Sequence, residues 1–131
     1  MPQYSVVVNN ARLDAIEATV GVSPKLRLYT GAIPTNCAAV ATGTLVIEIT
    51  LPSDWLSAAS GASKIKLGTW SGSATGTGVV GYYRIVDSTG ATTGVQGSAG
   101  MSGTEMLLDN SNIATSQVVT VSSYTINAAN V

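Results

Sequence analysis

The stretch Thr44-Leu-Val-Ile-Glu-Ile-Thr-Leu51 carries the clearest strand signal in the chain. Every second residue from position 45 is aliphatic, and together these predict one buried face: Leu45, Ile47, Ile49 and Leu51. The opposite face would carry Val46, Glu48 and Thr50. An alternation with a period of two predicts a half-buried β-strand that packs one face on a core.

Shorter alternating segments lie on both sides of this stretch, separated by Gly, Asn, Asp, Ser and Pro at intervals of roughly ten residues. The further predicted strands are Tyr4–Val8, Leu26–Tyr29, Ile65–Trp70, Val79–Val86, Thr92–Gly97, Met106–Leu108 and Gln117–Ile126. Such spacing is typical of an all-β protein. We therefore expect an antiparallel β-sandwich or jelly roll of about seven to eight strands.

One short helix is predicted near the N-terminus, where apolar residues recur at helical spacing: Leu13, Ile16 and Val20. Asn9 or Asn10 is expected to cap its first turn, because an asparagine side chain accepts bonds from free backbone amides. Gly21 and Pro24 are expected to end it. The preceding Met1–Asn9 segment is predicted to be an N-terminal arm or an edge strand.

The composition predicts one folded β-sandwich domain over residues 1–131. Hydrophobic residues make up 45% of the chain, charged residues 10%, and the net charge is −1. Six basic against seven acidic residues give no basic surface for nucleic acid, so no nucleic-acid partner is expected. The longest apolar region, Ala38–Ile49, is interrupted by polar residues, so no membrane partner is expected either. A lone cysteine, Cys37, is consistent with folding in a reducing cytoplasm.

Two strings resemble motifs that carry chemistry, but their context argues against it. Gly76–Gly81 matches G-x-G-x-x-G, yet nucleotide binding needs a helix after it, and a strand is predicted there. Ser63–Lys66 matches S-x-x-K, but a strand places residues i and i+3 on opposite faces. We therefore expect a strand start with two solvated lysines, Lys64 and Lys66.

The remaining polar candidates also have simpler explanations. Asp14 and Glu17 are expected to offset the helix dipole rather than form a catalytic carboxylate pair. The turn Asp109–Asn112 lacks the glycine and glutamate of a calcium loop and predicts an Asx-turn. Cys37 has no histidine to activate it, because the chain contains none. We expect no catalytic, cofactor-binding or metal-binding residues.

Aromatic side chains are the best candidates for recognition. Trp55 and Trp70 are expected in the core, since phenylalanine is absent and other rings must fill it. Tyr82 and Tyr83 are neighbours on a predicted strand, so one should face inward and one outward. The outward ring, together with Tyr4 of the N-terminal arm, is the candidate interface for a partner protein or for a sugar.

Several strings taken together resemble a family of small virion structural proteins of tailed bacteriophages and prophages. They are Arg12–Gly21, Leu28–Pro34, Leu51–Trp55, Ala58–Gly61, Gly68–Trp70, Arg84–Gly90, Leu108–Asn110 and Val118–Asn130. The similarity runs from about Asn10 to the C-terminus, and none of these strings is a catalytic motif.

The resemblance implies a non-enzymatic capsid decoration (cement) protein that clamps the major capsid protein and forms a homo-oligomer. It implies a location on the capsid surface of the virion, and in the host cytoplasm before assembly. The N-terminal Met1–Asn9 would then be an arm that adds a strand to a neighbour. Two alternatives stay open: a tail or head-fibre component, and a lectin-like carbohydrate-binding module that uses an exposed ring.

Overall fold

A computed structural model describes residues 2–128 of the chain. One helix, α1 (Val6–Val20), precedes nine strands. The strands are β1 (Lys25–Thr30), β2 (Leu45–Thr50), β3 (Ser63–Ile65), β4 (Ser71–Ser73), β5 (Gly78–Val86), β6 (Thr93–Gly100), β7 (Met106–Leu108), β8 (Asn112–Ile113) and β9 (Val118–Asn127). The β-rich class with one short helix is therefore confirmed, with more strands than predicted.

The helix begins earlier than its apolar spacing suggested. Ser5 is the N-cap, and its Oγ accepts a hydrogen bond from the backbone amide of Val8 at 3.2 Å. The predicted strand over Tyr4–Val8 and the predicted cap at Asn9 or Asn10 are therefore wrong. β-branched residues favour strands only where a neighbouring strand pairs with them. No strand of residues 2–128 pairs with this segment, and the serine cap supports a helical turn instead.

The strands form one curled mixed sheet in the order β2-β1-β5-β6-β7-β9-β3, with β4 paired to β9 and β8 paired to β5. All pairs are antiparallel except β6 and β7, which run parallel over two residue pairs. The expectation of a wholly antiparallel sheet is wrong at this point. β7, the neighbour of β6 in the sheet, runs in the same direction as β6. The alternation of apolar and polar residues does not indicate the direction of a strand, so the sequence could not predict this parallel pair.

The sheet curls until β4 lies against β2. Val46 O accepts hydrogen bonds from the amides of Thr75 and Gly76 at 2.9 and 3.0 Å. At Gly72, a Cβ atom would lie 3.0 Å from a side-chain carbon of Ile49, so the missing side chain permits the close approach. The predicted loop over Ser71–Gly78 thus contains a short strand, and its small residues bring the two ends of the sheet together.

A bulge modifies the alternation of β2. Leu28 of β1 pairs with Ile47, but the next residue, Tyr29, pairs with Leu45, so Val46 is skipped in the register. Val46 consequently lies in the core beside Ile47, while Leu45 is exposed. The predicted face of β2 is confirmed from Ile47 onward and wrong before it, because an extra residue in one strand reverses the side-chain alternation.

The inside of the curled sheet holds a single apolar core. Its largest members are both tryptophans and two tyrosines: Trp55, Trp70, Tyr83 and Tyr124. Trp70 lies centrally, with its ring centroid 6.2 Å from that of Trp55 and 5.6 Å from that of Tyr124. The prediction that both tryptophans pack in the core is confirmed.

Candidate functional site

The first turn of α1 presents a cluster of apolar side chains to solvent. We call it the N-terminal patch, and it consists of Tyr4, Val6, Val7 and Val8. Val7 is 78% exposed, and the other three are between 37% and 45% exposed. Three adjacent valines on the surface of a helix have no role in the core, so this patch is the clearest candidate for contact with another molecule.

A buried asparagine fixes the patch on the helix. Asn9 is fully buried, its amide donates to the carbonyl oxygen of Tyr4 at 3.4 Å, and its Oδ1 accepts from Arg12 Nη1 at 2.7 Å. The guanidinium of Arg12 lies 4.7 Å from the centre of the Tyr4 ring, within reach of a cation–π contact. Tyr4 is therefore held against the helix and does not extend from the molecule as a free arm.

Polar side chains attach α1 to the rest of the molecule. Asn10, Asp14 and Glu17 share one helix face, because they are spaced by four and three residues. We call these three residues the helix latch. Each side chain accepts a hydrogen bond from a backbone amide of the segment before β3. The donors are the amides of Ala62 to Asn10 at 2.9 Å, Ala59 to Asp14 at 3.1 Å and Leu56 to Glu17 at 3.0 Å. Three amides that no strand pairs with are satisfied in this way.

Lys64 of β3 lies at the centre of the latch with only 1% of its side chain exposed. Its Nζ donates to Asp14 Oδ1 at 2.6 Å and to Glu17 Oε1 at 3.1 Å. The prediction of a strand start at Ser63 is confirmed, but the prediction that Lys64 is solvated is wrong. Asp14 and Glu17 were predicted only to offset the helix dipole. In the structure both carboxylates also bind the ammonium group of Lys64.

The pKa values agree with a structural role for this cluster. Burial alone would lower the pKa of Lys64, but the bonds to Asp14 and Glu17 outweigh it and raise that pKa above the ordinary value. The bond from Lys64, followed by the amide of Ala59, lowers the pKa of Asp14. A lysine held as an ammonium ion has no lone pair for attack on a substrate, so the geometry supports attachment rather than nucleophilic chemistry.

Tyr82 and Tyr83 do face opposite sides of β5, but both are buried. Tyr83 points into the core, and its hydroxyl lies 2.7 Å from the hydroxyl of Tyr124. Tyr82 points away from the core and stacks on Tyr29 at 5.0 Å between ring centroids. The connection between β1 and β2 covers it, since Tyr82 Oη donates to the carbonyl oxygen of Thr42 at 2.6 Å.

The expectation that one of these two rings faces solvent is therefore wrong. A strand pattern gives the side on which a residue lies, but it does not show that a loop far along the sequence folds over that side. Burial raises the pKa of Tyr83 to about 12 and also raises the pKa of Tyr124, so both hydroxyls of the pair stay protonated at neutral pH. Of the predicted interface residues, Tyr4 alone is exposed.

The other sequence motifs occupy plain structural positions. The glycine string Gly76–Gly81 runs directly into β5, so a strand and not a helix follows it. In the turn after β7, Asn110 Oδ1 accepts the amide of Asn112 at 3.1 Å, as an Asx-turn does. Cys37 is a free cysteine in the loop between β1 and β2. Within residues 2–128, no group of three or more His, Cys, Asp or Glu side chains is arranged to hold a metal ion.

Comparisons with known proteins give no relative for this chain. It matches no protein-family model, no curated protein and no solved structure. No helix in the described part of the chain is both long and apolar enough to cross a membrane.

Proposed function

We propose that this protein is a non-enzymatic structural component of a bacteriophage virion, a decoration (cement) protein that binds the major capsid protein and stabilises the shell. It would be made in the host cytoplasm and act on the capsid surface, as a homo-oligomer or as many separate copies. Two observations support the proposal: the resemblance of the sequence to virion structural proteins, and the exposed N-terminal patch. In a shell, weak contacts repeated at every copy add up to strong attachment.

The N-terminal patch is the observation that carries this proposal. It places three consecutive, exposed valines on one helical turn, with a capping serine before them and buried Asn9 after them. Exposed aliphatic side chains on a fixed backbone lose little conformational entropy when they bind. They are suited to a shallow apolar groove between neighbouring capsid subunits.

The patch also changes how the N-terminal segment would act. An arm that adds a strand to a neighbour needs an extended backbone with free amides. Residues 6–9 are helical, and Asn9 N donates to Ser5 O at 2.9 Å. We therefore propose attachment through helical side chains in place of strand addition.

The distribution of charge is compatible with adhesion. Lys25 and Arg27 lie beside Glu48, and Lys64 lies beside Asp14 and Glu17. Six of the thirteen charged residues are in these ion pairs and the net charge is −1. Long-range steering is therefore weak, so apolar contact must supply the affinity.

The alternatives differ in how well the surface supports them. A lectin-like module needs exposed rings for stacking on sugars, and six of the seven aromatic residues are buried. A tail or head-fibre component would use the same patch as a cement protein. A two-layer sandwich or jelly roll remains our proposed classification, supported by the way β4 lies over β2 at Gly72.

The test is electron microscopy of capsids assembled with and without this protein, followed by challenge with heat and low salt. We expect added density on the outer surface and shells that resist both treatments. Val7→Asp, which places a charge at the centre of the patch, should remove the density and the resistance. Val22→Asp is the matched control, because Val22 is similarly exposed at the other end of α1.

Shells that show no added density and equal resistance would overturn the proposal. Density on tails or fibres instead of heads would replace it with the tail or fibre alternative. If Val7→Asp binds as the unaltered protein does, another surface carries the contact.

A further inference from the structure

On the outer face of the sheet, a buried arginine has no anionic partner. Arg84 of β5 is 5% exposed, and within residues 2–128 no carboxylate oxygen lies within 4.0 Å of its guanidinium. Its Nε donates to Gln96 Oε1 at 3.1 Å, and its Nη2 donates to the carbonyl oxygens of Asn36 and Ala39 at 3.3 and 2.7 Å. A buried cation with neutral acceptors alone is an uncommon and costly arrangement.

One end of this guanidinium remains unused. An arginine has five N–H donors, and the three bonds above involve Nε and Nη2. No buried side-chain nitrogen or oxygen in the described residues lacks a hydrogen-bond partner, yet Nη1 of Arg84 makes no bond there. Nη1 must therefore be in part exposed to solvent, and it forms no hydrogen bond within residues 2–128.

Arg84 lines an open cavity of about 460 Å³ between the β1–β2 connection and the start of β6. The other lining residues are Cys37, Ala38, Ala39, Ala91, Thr92 and Thr93. None of them is acidic, and neither threonine hydroxyl makes a hydrogen bond within residues 2–128. The cavity thus combines one cation, two hydroxyl donors and apolar walls.

The acidic side chains nearest in sequence and register are already engaged. Glu48 receives Arg27 Nε at 2.7 Å and lies 3.8 Å from Lys25 Nζ. Asp87 Oδ1 accepts the hydroxyl of Thr89 at 2.8 Å and the amide of Ala91 at 2.9 Å. Arg84 lies directly across from Arg27 in the strand register, and within residues 2–128 Glu48 forms an ion pair with Arg27 but not with Arg84.

We propose that this cavity is a binding site for a small oxyanion, a phosphate or a carboxylate group, held by Arg84 Nη1 and the hydroxyls of Thr92 and Thr93. Guanidinium–oxyanion bonds are charge-assisted and directional, which suits a planar donor already fixed by three bonds to the protein. The anion would supply the counter-charge that Arg84 lacks. This site does not depend on the function proposed above.

The test is a titration of the folded protein with inorganic phosphate, and separately with acetate, at constant ionic strength by amide NMR. We expect saturable shifts confined to residues 37–39 and 91–93 for at least one of the two anions. The anion whose chemical shifts reach saturation shows whether the site accepts a phosphate or a carboxylate group. Arg84→Gln should weaken its binding by about tenfold or more. Arg27→Gln is the matched control and should leave the affinity within about twofold, because the Arg27 guanidinium is paired with Glu48.

A second variant keeps the test valid if Arg84→Gln fails to fold. Ala38→Asp adds a carboxylate on the cavity wall, and we expect it to abolish anion binding and to raise the thermal midpoint in anion-free buffer. The proposal is overturned if neither anion gives saturable shifts, or if affinity is unchanged in Arg84→Gln or, where that variant does not fold, in Ala38→Asp.

Discussion

The helix and the curled sheet are held in place by different forces. The sheet encloses an apolar core built from both tryptophans, Tyr83, Tyr124 and many aliphatic residues. By contrast, α1 fully buries only Asn9 and Leu13, and at its end Val20 packs against the core and Gly21 O accepts a bond from Trp55 Nε1 at 3.0 Å. Most of its remaining attachment is made by the side chains of its latch. Burial of apolar surface is insensitive to pH, whereas an attachment made by ionised groups depends on it.

Because of this difference, we expect the helix to open before the sheet unfolds. Regions with few buried apolar contacts open with a lower free energy than the core does. The N-terminal patch is carried by the more weakly attached of the two regions. Variants of the core should therefore reduce global stability, while variants of the latch should act first on the position of the helix.

The largest effect is expected from a substitution in the core. Trp70→Ala removes a fully buried ring that packs on Trp55 and Tyr124 and whose Nε1 donates to Leu67 O at 3.0 Å. We expect a loss of about 3–5 kcal/mol in the free energy of unfolding, measured by chemical denaturation.

The control for this prediction is Val118→Ala at an exposed position of β9, with an expected change within about 0.5 kcal/mol. A loss below about 1 kcal/mol for Trp70→Ala would contradict the single central core.

Much of this core could be predicted from sequence. Alternation placed Ile47, Ile49 and Leu51 correctly, and the absence of phenylalanine pointed to Trp55 and Trp70 as core residues. The bulge at Val46 and the parallel β6–β7 pair could not be predicted, because both depend on which strand lies alongside. The periodicity of a sequence segment indicates which face of a strand is apolar, but it does not indicate which other strands pair with it.

The surface was harder to predict than the core. Lys64 looked like a solvated residue because its partners, Asp14 and Glu17, lie some fifty positions earlier in the chain. The spacing of Asn10, Asp14 and Glu17 could have indicated the latch, since polar side chains on one helix face can bind polar groups of a neighbouring segment. Tyr82 and Tyr83 face opposite sides of their strand as predicted, but a loop from elsewhere in the chain covers the outer side, on which Tyr82 lies.

A smaller effect is expected from Lys64→Met, which keeps the volume of the side chain and removes its charge. Asp14 and Glu17 would then face each other without the ammonium ion. A broken, fully buried ion pair costs about 3–5 kcal/mol. Because the Asp14 side chain is 52% exposed and can be solvated, we expect about 1–3 kcal/mol, measured by denaturation.

Lys66→Met is the matched control, since within residues 2–128 the Lys66 ammonium group bonds only to the carbonyl oxygen of Gly68. Its expected cost is within about 0.5 kcal/mol. Hydrogen exchange adds a regional measurement: in Lys64→Met the amides of Leu56 and Ala59 should lose protection before those of β5. Equal loss in both regions would contradict a separable helix.

The smallest effect is expected from acid. The bonds from Lys64 and Ala59 lower the pKa of Asp14. The contribution of ionised Asp14 to stability is therefore complete above the ordinary carboxyl pKa of about 3.8. It is lost as pH falls through the lower pKa of the folded state. The pKa of Lys64 is raised, so its contribution is complete below about 10.5 and is lost as pH rises through the folded-state value.

Asp87 provides the comparison within the same molecule, because hydrogen bonds from Thr89 and the nearby turn amides also lower its pKa. In an amide NMR titration below pH 4, protonation of Asp87 should change only its own turn. Protonation of Asp14 should release the amide of Ala59 and shift residues of α1 together. If the shifts at Asp14 stay as local as those at Asp87, the helix is attached by burial after all, and the contrast between the two regions is lost.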